Sequence, residues 1–317
     1  MSFSETFPLA GKRIWVTGGH GFLGNHVLTE LGHRDCILLA PTEKELDLLD
    51  PSAPARFIRE HRPDGVIHMA ARVGGIGANR KHPGRFFFEN MSMGLHLIEA
   101  CRTERVEKLL VLGTVCAYPK HCPVPFREED LWNGYPEETN APYGIAKKAL
   151  LVQLQSYRQE YGTRGIYLVP VNLYGPGDHL DSENSHVIPA LIRKILEAKA
   201  ARAPSVELWG TGKASREFLY VKDAAKAICE AMACYEESEP VNLGTGGEIS
   251  IKDLALMIMQ FTGYQGELTF NPSYPDGQPR RKLDTSRALA RFGWQAEHSL
   301  EHGLTETIAW MRNELAL

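Results

Sequence analysis

Tyr143 and Lys147 are four residues apart. On a helix, positions i and i+4 share one face. A lysine ammonium would then stand beside a phenol, favouring the phenolate and lowering the tyrosine pKa. Such a phenol suits the interconversion of a carbinol and a carbonyl, as acid or base. Asn140 is placed to cap this helix, and Pro142 suits its first turn. Upstream, the apolar run 107–113 ends in Leu112-Gly113-Thr114, with Cys116 two residues on. Thr114 there can hydrogen-bond a substrate carbonyl oxygen. Alone, Tyr-x-x-x-Lys is a frequent accident, so its meaning depends on what precedes it.

What precedes it is the turn Thr17-Gly18-Gly19-His20-Gly21-Phe22-Leu23-Gly24. Gly18, Gly21 and Gly24 are spaced GxxGxxG between an apolar strand and a helix. Glycines here permit a tight turn, close approach of a pyrophosphate and close helix–sheet packing, and the helix N-terminus offers oriented N–H groups. The context, rather than the triplet, makes this a dinucleotide-binding turn. The adenosine ribose is normally read after the second strand, here Leu39-Ala40-Pro41-Thr42-Glu43-Lys44. No arginine stands in that loop. His20 and Lys44 are the nearby cations, and Glu43 either accepts from a ribose diol or faces solvent. Cofactor discrimination is therefore expected to be weak.

The elements that position these groups alternate. Strands are expected at 12–18, 35–40, 64–71, 107–113 and 165–171, with helices at 22–32, 53–61, 86–103 and 143–161. Apolar strands alternating with helices predict a parallel sheet covered on both faces. The second half is less regular, with helices at 187–200, 222–235 and 251–262 and short β pieces at 206–209 and 267–270. Residues 240–246 read as a strand returning to the main sheet. The expected fold is α/β, a Rossmann-type doubly wound parallel sheet with a smaller C-terminal α/β substrate domain. Residues 1–173, completed by about 222–250, form the dinucleotide domain. Residues 174–317 form the substrate domain, interleaved with the first.

Composition agrees with a globular chain: of 317 residues 43% are hydrophobic and 23% charged. A net charge of −4 carries no general nucleic-acid footprint. No apolar run approaches the roughly 20 residues of a membrane span. The N-terminus lacks the basic start and apolar middle of a secretory signal. The six cysteines are scattered with no CxxC pair, as in a reduced compartment. A cytoplasmic location follows as the expectation. Cys116, His121 and Cys122 fall short of a zinc ligand set, so no metal is expected.

Longer segments carry a resemblance: AARVGGIGAN (70–79), LGTVCAYPK (112–120), NAPYGIAKKA (140–149), NLYGPGD (172–178), SHVIPALIRK (185–194), WGTGKASREFLYVKD (209–223) and PDGQPRRKLD (275–284). Nearly end to end, the chain resembles the GDP-L-fucose synthase family in the extended branch of the short-chain dehydrogenase/reductases. The resemblance implies 3,5-epimerisation and 4-keto reduction of GDP-4-keto-6-deoxy-D-mannose or a close GDP-4-keto sugar. Related enzymes on this skeleton make GDP-colitose or act on GDP-heptoses, and an NAD-dependent epimerase without net redox is the alternative.

Residue by residue, the resemblance makes Tyr143 the general acid and sets Lys147 on the nicotinamide ribose. Thr114 takes the place of the family's usual serine. Cys116 and His186 become the epimerase acid/base pair. It places the cofactor against Gly18, Gly19, His20, Gly21, Phe22, Leu23, Gly24, Asp47, Leu48, Ala70, Ala71, Leu112, Gly113, Lys147, Pro170, Asn172, Leu173 and His186. It places the GDP-sugar against Asn172, Lys194, Trp209, Arg216, Asp276 and Arg281, with Arg216 and Arg281 on the pyrophosphate. The family's cofactor is NADP, with NAD open here because the usual arginines are missing. A homodimer is implied through the helices at 86–103 and 143–161, where Leu95, Ile98, Leu150, Leu151 and Leu154 exceed the needs of one core face.

Overall fold

The computed structural model describes residues 3–74, 76–180, 186–274 and 277–316. Its centre is a six-stranded sheet of β1 (Arg13–Thr17), β2 (Ile37–Leu39), β3 (Gly65–His68), β4 (Lys108–Leu112), β5 (Gly165–Pro170) and the much later β10 (Val241–Leu243). The order is β10-β5-β4-β3-β1-β2 and every pairing is parallel. Ile14, Trp15, Val16, Val66, Ile67 and Leu110 are fully buried, as strands covered on both faces require. From β1 the chain moves outward to β2, then crosses to β3 on the other side of β1. That reversal opens a crevice at the carboxyl ends of β1 and β3, the expected ligand position in such sheets.

One helical layer contains α2 (Ala53–His61), α4 (Pro83–Thr103) and α5 (Ala141–Tyr161), preceded by the short α3 (Ile76–Lys81). The other pairs α1 (Phe22–Gly32) with α7 (Val221–Cys234). α4 starts at Pro83, earlier than residue 86, because proline fits a first helical turn. α5 starts at Ala141, but Asn140 does not cap it with its side chain; its amide donates to Glu137 at 3.0 Å instead. Gly162, at φ +71°, ends this helix.

Ile98, Leu150, Leu151 and Leu154 are buried within the chain, so they are ordinary core residues rather than a surplus. Burial of each is worth about 1.5–3 kcal/mol. Only Leu95 of the five is exposed; Phe87 and Phe88 of α4 and Val152 of α5 are exposed as well.

A second apolar cluster gathers Ile188, Ile192 and Ile195 of α6 (Val187–Ala200), Leu254 and Ile258 of α8 (Ile251–Thr262), and Leu304, Ile308 and Met311 of α10 (Leu300–Leu315). The parallel pair β7 (Ser205–Trp209) and β12 (Glu267–Asn271) packs with it. β6 (Asn172–Tyr174) pairs with β9 (Phe218–Tyr220). β8 (Ser215–Arg216) joins β11 (Ile249–Ser250) and β13 (Arg280–Arg281). α9 (Ser286–Phe292) sends Ala288 and Phe292 back to the large cluster, with Leu283 and Trp294 around it. α3, α9 and α10 were not read from the sequence. α10 did carry a signal, since Ser299 accepts a hydrogen bond from the His302 amide as its cap.

Glu217 ties these parts together. Its carboxylate is fully buried and accepts from the amides of Thr245 (2.6 Å), Gly246 (2.7 Å) and Leu283 (2.6 Å). Burial nonetheless pushes its pKa up.

Candidate active site

The glycine turn has the geometry of a phosphate cradle. Gly18 is at φ +71°, and a Cβ there would sit 2.9 Å from the Ala70 backbone. A Cβ on Gly24 would lie 2.1 Å from the Gly18 carbonyl, so only glycine lets α1 approach its own turn. Gly21 is the N-cap residue without a side-chain cap, which leaves the first N–H groups of α1 for an anion. The crevice above is lined by Gly18, Gly19, His20, Gly21, Asp47, Leu48, Ala70 and Ala71, all expected, and also by Pro41, Glu43, Met93 and Arg72. Thr17 joins its two walls: its hydroxyl accepts from the amides of Met69 (3.3 Å) and Ala70 (3.2 Å) and meets His68 Nδ1 at 2.8 Å. A narrow glycine floor between apolar walls fits a dinucleotide.

The other expected cofactor residues lie beyond that crevice. Phe22, Leu23 and Gly24 are the first turn of α1. His26, one turn on, bonds the Pro176 carbonyl at 2.9 Å. Leu112 ends β4 with Gly113 directly after it, Pro170 ends β5, and Asn172 and Leu173 are in β6. The Asn172 amide donates to the Glu217 carbonyl at 2.9 Å.

Thr114, Cys116 and Tyr143 come together where α5 crosses the loop after β4. A Cβ on Gly144 would meet the Cys116 carbonyl at 2.4 Å, so the helix N-terminus lies directly on that loop. The Thr114 hydroxyl accepts from the Cys116 amide at 3.2 Å, and the Thr114 side chain is close enough to the Tyr143 hydroxyl to favour its charged form. Burial raises the Tyr143 pKa, the neighbouring Cys116 adds to the rise, and Thr114 offsets part of it. The lowering expected from Lys147 is thus not what the structure produces: desolvation wins, and the phenol keeps its proton. Lys147 is buried and pulled down to about 8 by desolvation. Its charge and burial hold His68 well below the ordinary histidine range, burial being the larger effect.

His186 caps the N-terminus of α6. Its Nδ1 lies 3.2 Å from the buried Asp178 carboxylate. Burial pulls its pKa down, but the hydrogen bond and charge of Asp178 together outweigh that and raise it. Nothing in the sequence pointed to Asp178 as the partner.

At the other end, Lys194 of α6 donates to the Glu207 carbonyl. Trp209 is 65% exposed and stacks on Tyr274, with centroids 4.4 Å apart and planes 7° apart. A flat aromatic face left open to solvent is a stacking surface rather than a core group. Arg216 of β8 donates to the Ser215 carbonyl at 2.7 Å. Arg281 of β13 stands against the trio, with Nη1 3.9 Å from the Cys116 sulfur and Nε 3.3 Å from Gln278 Oε1. Asp276 lies outside the described residues. Among the described residues no group of three or more His, Cys, Asp or Glu could hold a metal ion, and no helix is long and apolar enough to cross a membrane.

A nucleotide-binding parallel sheet with a Tyr–Lys helix beside it defines the class. The chain belongs to the NAD dependent epimerase/dehydratase family, which residues 14–244 match. It is 42% identical over 301 residues to a GDP-L-fucose synthase of Sinorhizobium fredii, covering 95% of this chain and 96% of that one. A GDP-L-colitose synthase of Yersinia pseudotuberculosis is 36% identical over 305 residues, covering 95% and 98%. Among solved structures, a GDP-mannoheptose C4 reductase from Campylobacter jejuni with NADP bound superposes with a TM-score of 0.86 at 31% identity, covering 95% and 98%. The expectations of fold class and family drawn from the sequence hold.

Proposed function

We propose that this chain is an NADPH-dependent epimerase-reductase that converts GDP-4-keto-6-deoxy-D-mannose to GDP-L-fucose. The observation that carries the reading is the approach of Thr114 and Cys116, in the loop after β4, to Tyr143 at the start of α5. The activities for which the relatives are named support it.

When bound, NADPH supplies the hydride for the 4-keto carbon. Tyr143 gives its proton to the C4 oxygen, and the raised pKa keeps that proton in place until then. Thr114 is the second donor to the same oxygen, and Lys147 holds the nicotinamide ribose. Before reduction, the 4-keto group acidifies C3 and C5. Cys116 and His186 remove and return those protons on opposite faces. Asp178 helps His186 carry a proton at neutral pH. Lys194, Trp209 and Arg216 receive the GDP end, with Asp276 by family position. Arg281, beside the cysteine, serves the sugar side of the pyrophosphate.

Residues 1–173, completed by about 222–250, serve as the cofactor domain, and 174–317 as the substrate domain. The protein acts in the cytoplasm as a homodimer through α4 and α5. Exposed Phe88, Leu95 and Val152 give that face its apolar character. Light scattering at micromolar concentration should report twice the chain mass, and a monomer would count against the dimer.

The deciding experiment incubates the chain with GDP-4-keto-6-deoxymannose and NADPH, then analyses products and cofactor consumption. GDP-L-fucose with one NADPH oxidised per turnover supports the reading. Epimerised ketone without NADPH loss overturns the reductase part. Turnover confined to a 3-deoxy or heptose keto sugar assigns the chain to the colitose or heptose chemistry instead.

A further inference from the structure

The loop after β2 has no arginine of its own, yet one reaches it from β3. Arg72 follows the Ala70–Ala71 wall, and its main chain is clamped by Asn90. The Arg72 amide donates to Asn90 Oδ1 at 2.9 Å, and Asn90 Nδ2 donates to the Arg72 carbonyl at 3.0 Å. Its guanidinium is held at two points. Nε donates to Glu89 Oε2 at 2.8 Å, and Nη2 pairs with Glu43 across the crevice mouth. Glu89 is also bonded by Arg85 Nε at 2.6 Å. Glu89 therefore has two cations, and Glu43 balances the remaining positive charge from the solvent side.

Two neighbouring groups are occupied, and Lys44 does not line the crevice. The Glu45 carboxylate turns back into its own loop, accepting from the Thr42 amide (2.7 Å) and hydroxyl (2.9 Å). His20 Nε2 bonds the Ala40 carbonyl at 2.7 Å. Among the described residues lining the crevice, Arg72 is the one arginine or lysine.

We propose that Arg72 reads the 2′ position of the cofactor's adenosine ribose, with Glu43 as its exchangeable counter-ion. With a free 2′-hydroxyl, Glu43 keeps Arg72 and accepts from the ribose. With a 2′-phosphate, the phosphate takes the Nη end and Glu43 swings out, while Glu89 still holds Nε. The exchange is favourable on elementary grounds. The Glu43 side chain is 67% exposed, and pairs so exposed are weak. A phosphomonoester carries nearly two charges and accepts from a planar guanidinium fork bidentately. The inference rests on the crevice being the NADP(H) site.

The test is equilibrium binding of NADPH and NADH to the purified full chain, read by fluorescence, for wild type, Arg72→Gln and Glu43→Gln. A competition series with 2′,5′-ADP and 5′-ADP isolates the adenosine end. Arg72→Gln is expected to weaken NADPH and 2′,5′-ADP at least tenfold, with NADH and 5′-ADP changed less than threefold. Glu43→Gln is expected to tighten NADPH at least threefold without tightening NADH. Equal losses for both cofactors, or NADPH/NADH ratios within twofold of wild type in both variants, overturn the role of Arg72. If Arg72→Gln fails to fold, the exposed Glu43→Gln decides alone. Wild-type protein that binds neither cofactor overturns the underlying reading of the crevice; wild-type binding with insensitive ratios overturns only this inference.

Discussion

The Tyr167 hydroxyl donates to the main-chain carbonyl of Lys147 at 2.9 Å. Its ring also fills the space against Gly113, where a Cβ would meet it at 2.4 Å. One side chain on β5 thus fixes the register of α5 against the end of β4, which carries Thr114. Tyr167→Phe keeps the ring and removes the bond, while the helical partner of that carbonyl remains. It should lower stability by about 0.5–1.5 kcal/mol in denaturant titration, with cofactor Kd changed less than threefold. An unchanged midpoint would show that packing alone sets this register.

Tyr143→Phe should abolish most reduction and leave cofactor binding nearly intact. General acid catalysis is worth about 10²–10⁴ in rate, so single-turnover reduction should fall by that range. The glycine turn and Lys147 are untouched, so NADPH affinity should hold. Undiminished turnover would remove Tyr143 from the chemistry.

Lys147 trades stability for binding. Its folded pKa is about 8, against an ordinary lysine value of about 10.4. Below pH 8 both folded and unfolded chains hold the charge, and the folded state bears the full desolvation cost. Between these two values the unfolded chain still binds a proton the folded one has lost, so stability rises with pH. Lys147→Met should therefore be more stable than wild type at pH 7 by about 2–3 kcal/mol, and the gap should close toward pH 10. NADPH affinity should fall in the same variant. A variant less stable at pH 7 would contradict the burial argument.

Epimerisation should separate from reduction. Cys116→Ser and His186→Asn should lose solvent deuterium incorporation at C3 or C5, while reduction of a correctly configured ketone persists. Asp178 raises the His186 pKa, so the stability it contributes is full below the ordinary histidine value and lost as pH rises through the raised one. Asp178→Asn should move the alkaline limb of exchange to lower pH. Wild-type exchange in both single variants would assign the proton transfers to other groups.

The local features were legible in the sequence. The glycine turn, the Tyr143–Lys147 spacing and the strand–helix alternation each depend on residues a few positions apart. What escaped depends on the sheet order. Arg72 enters the adenosine loop only because β3 and β2 flank β1. Asp178 meets His186 from eight positions away, a pairing no helix or strand period announces. The direction of the Tyr143 shift also escaped, because burial depth has no local sequence signature. Asn140 looked like a cap, yet Glu137 three residues earlier took its amide. Ile98, Leu150, Leu151 and Leu154 look surplus on α4 and α5 in sequence because which helix face is core depends on the neighbouring layer.

The last strand of the main sheet, β10, lies beside β5, with Val241 opposite Leu168. During synthesis β5 leaves the ribosome long before its neighbour exists. Until Val241–Leu243 emerge, the nascent sheet ends in β5, with an open edge and Leu168 and Val169 uncovered on the way to a core they later fill. An unpaired apolar edge is the kind of surface that recruits wrong partners. α6 and β7, made in that interval, must wait as well, since α8 and β12, against which they pack, come later still. The chain's vulnerable period is therefore built into the order of its strands, and chaperone demand should peak on nascent lengths between β5 and β10.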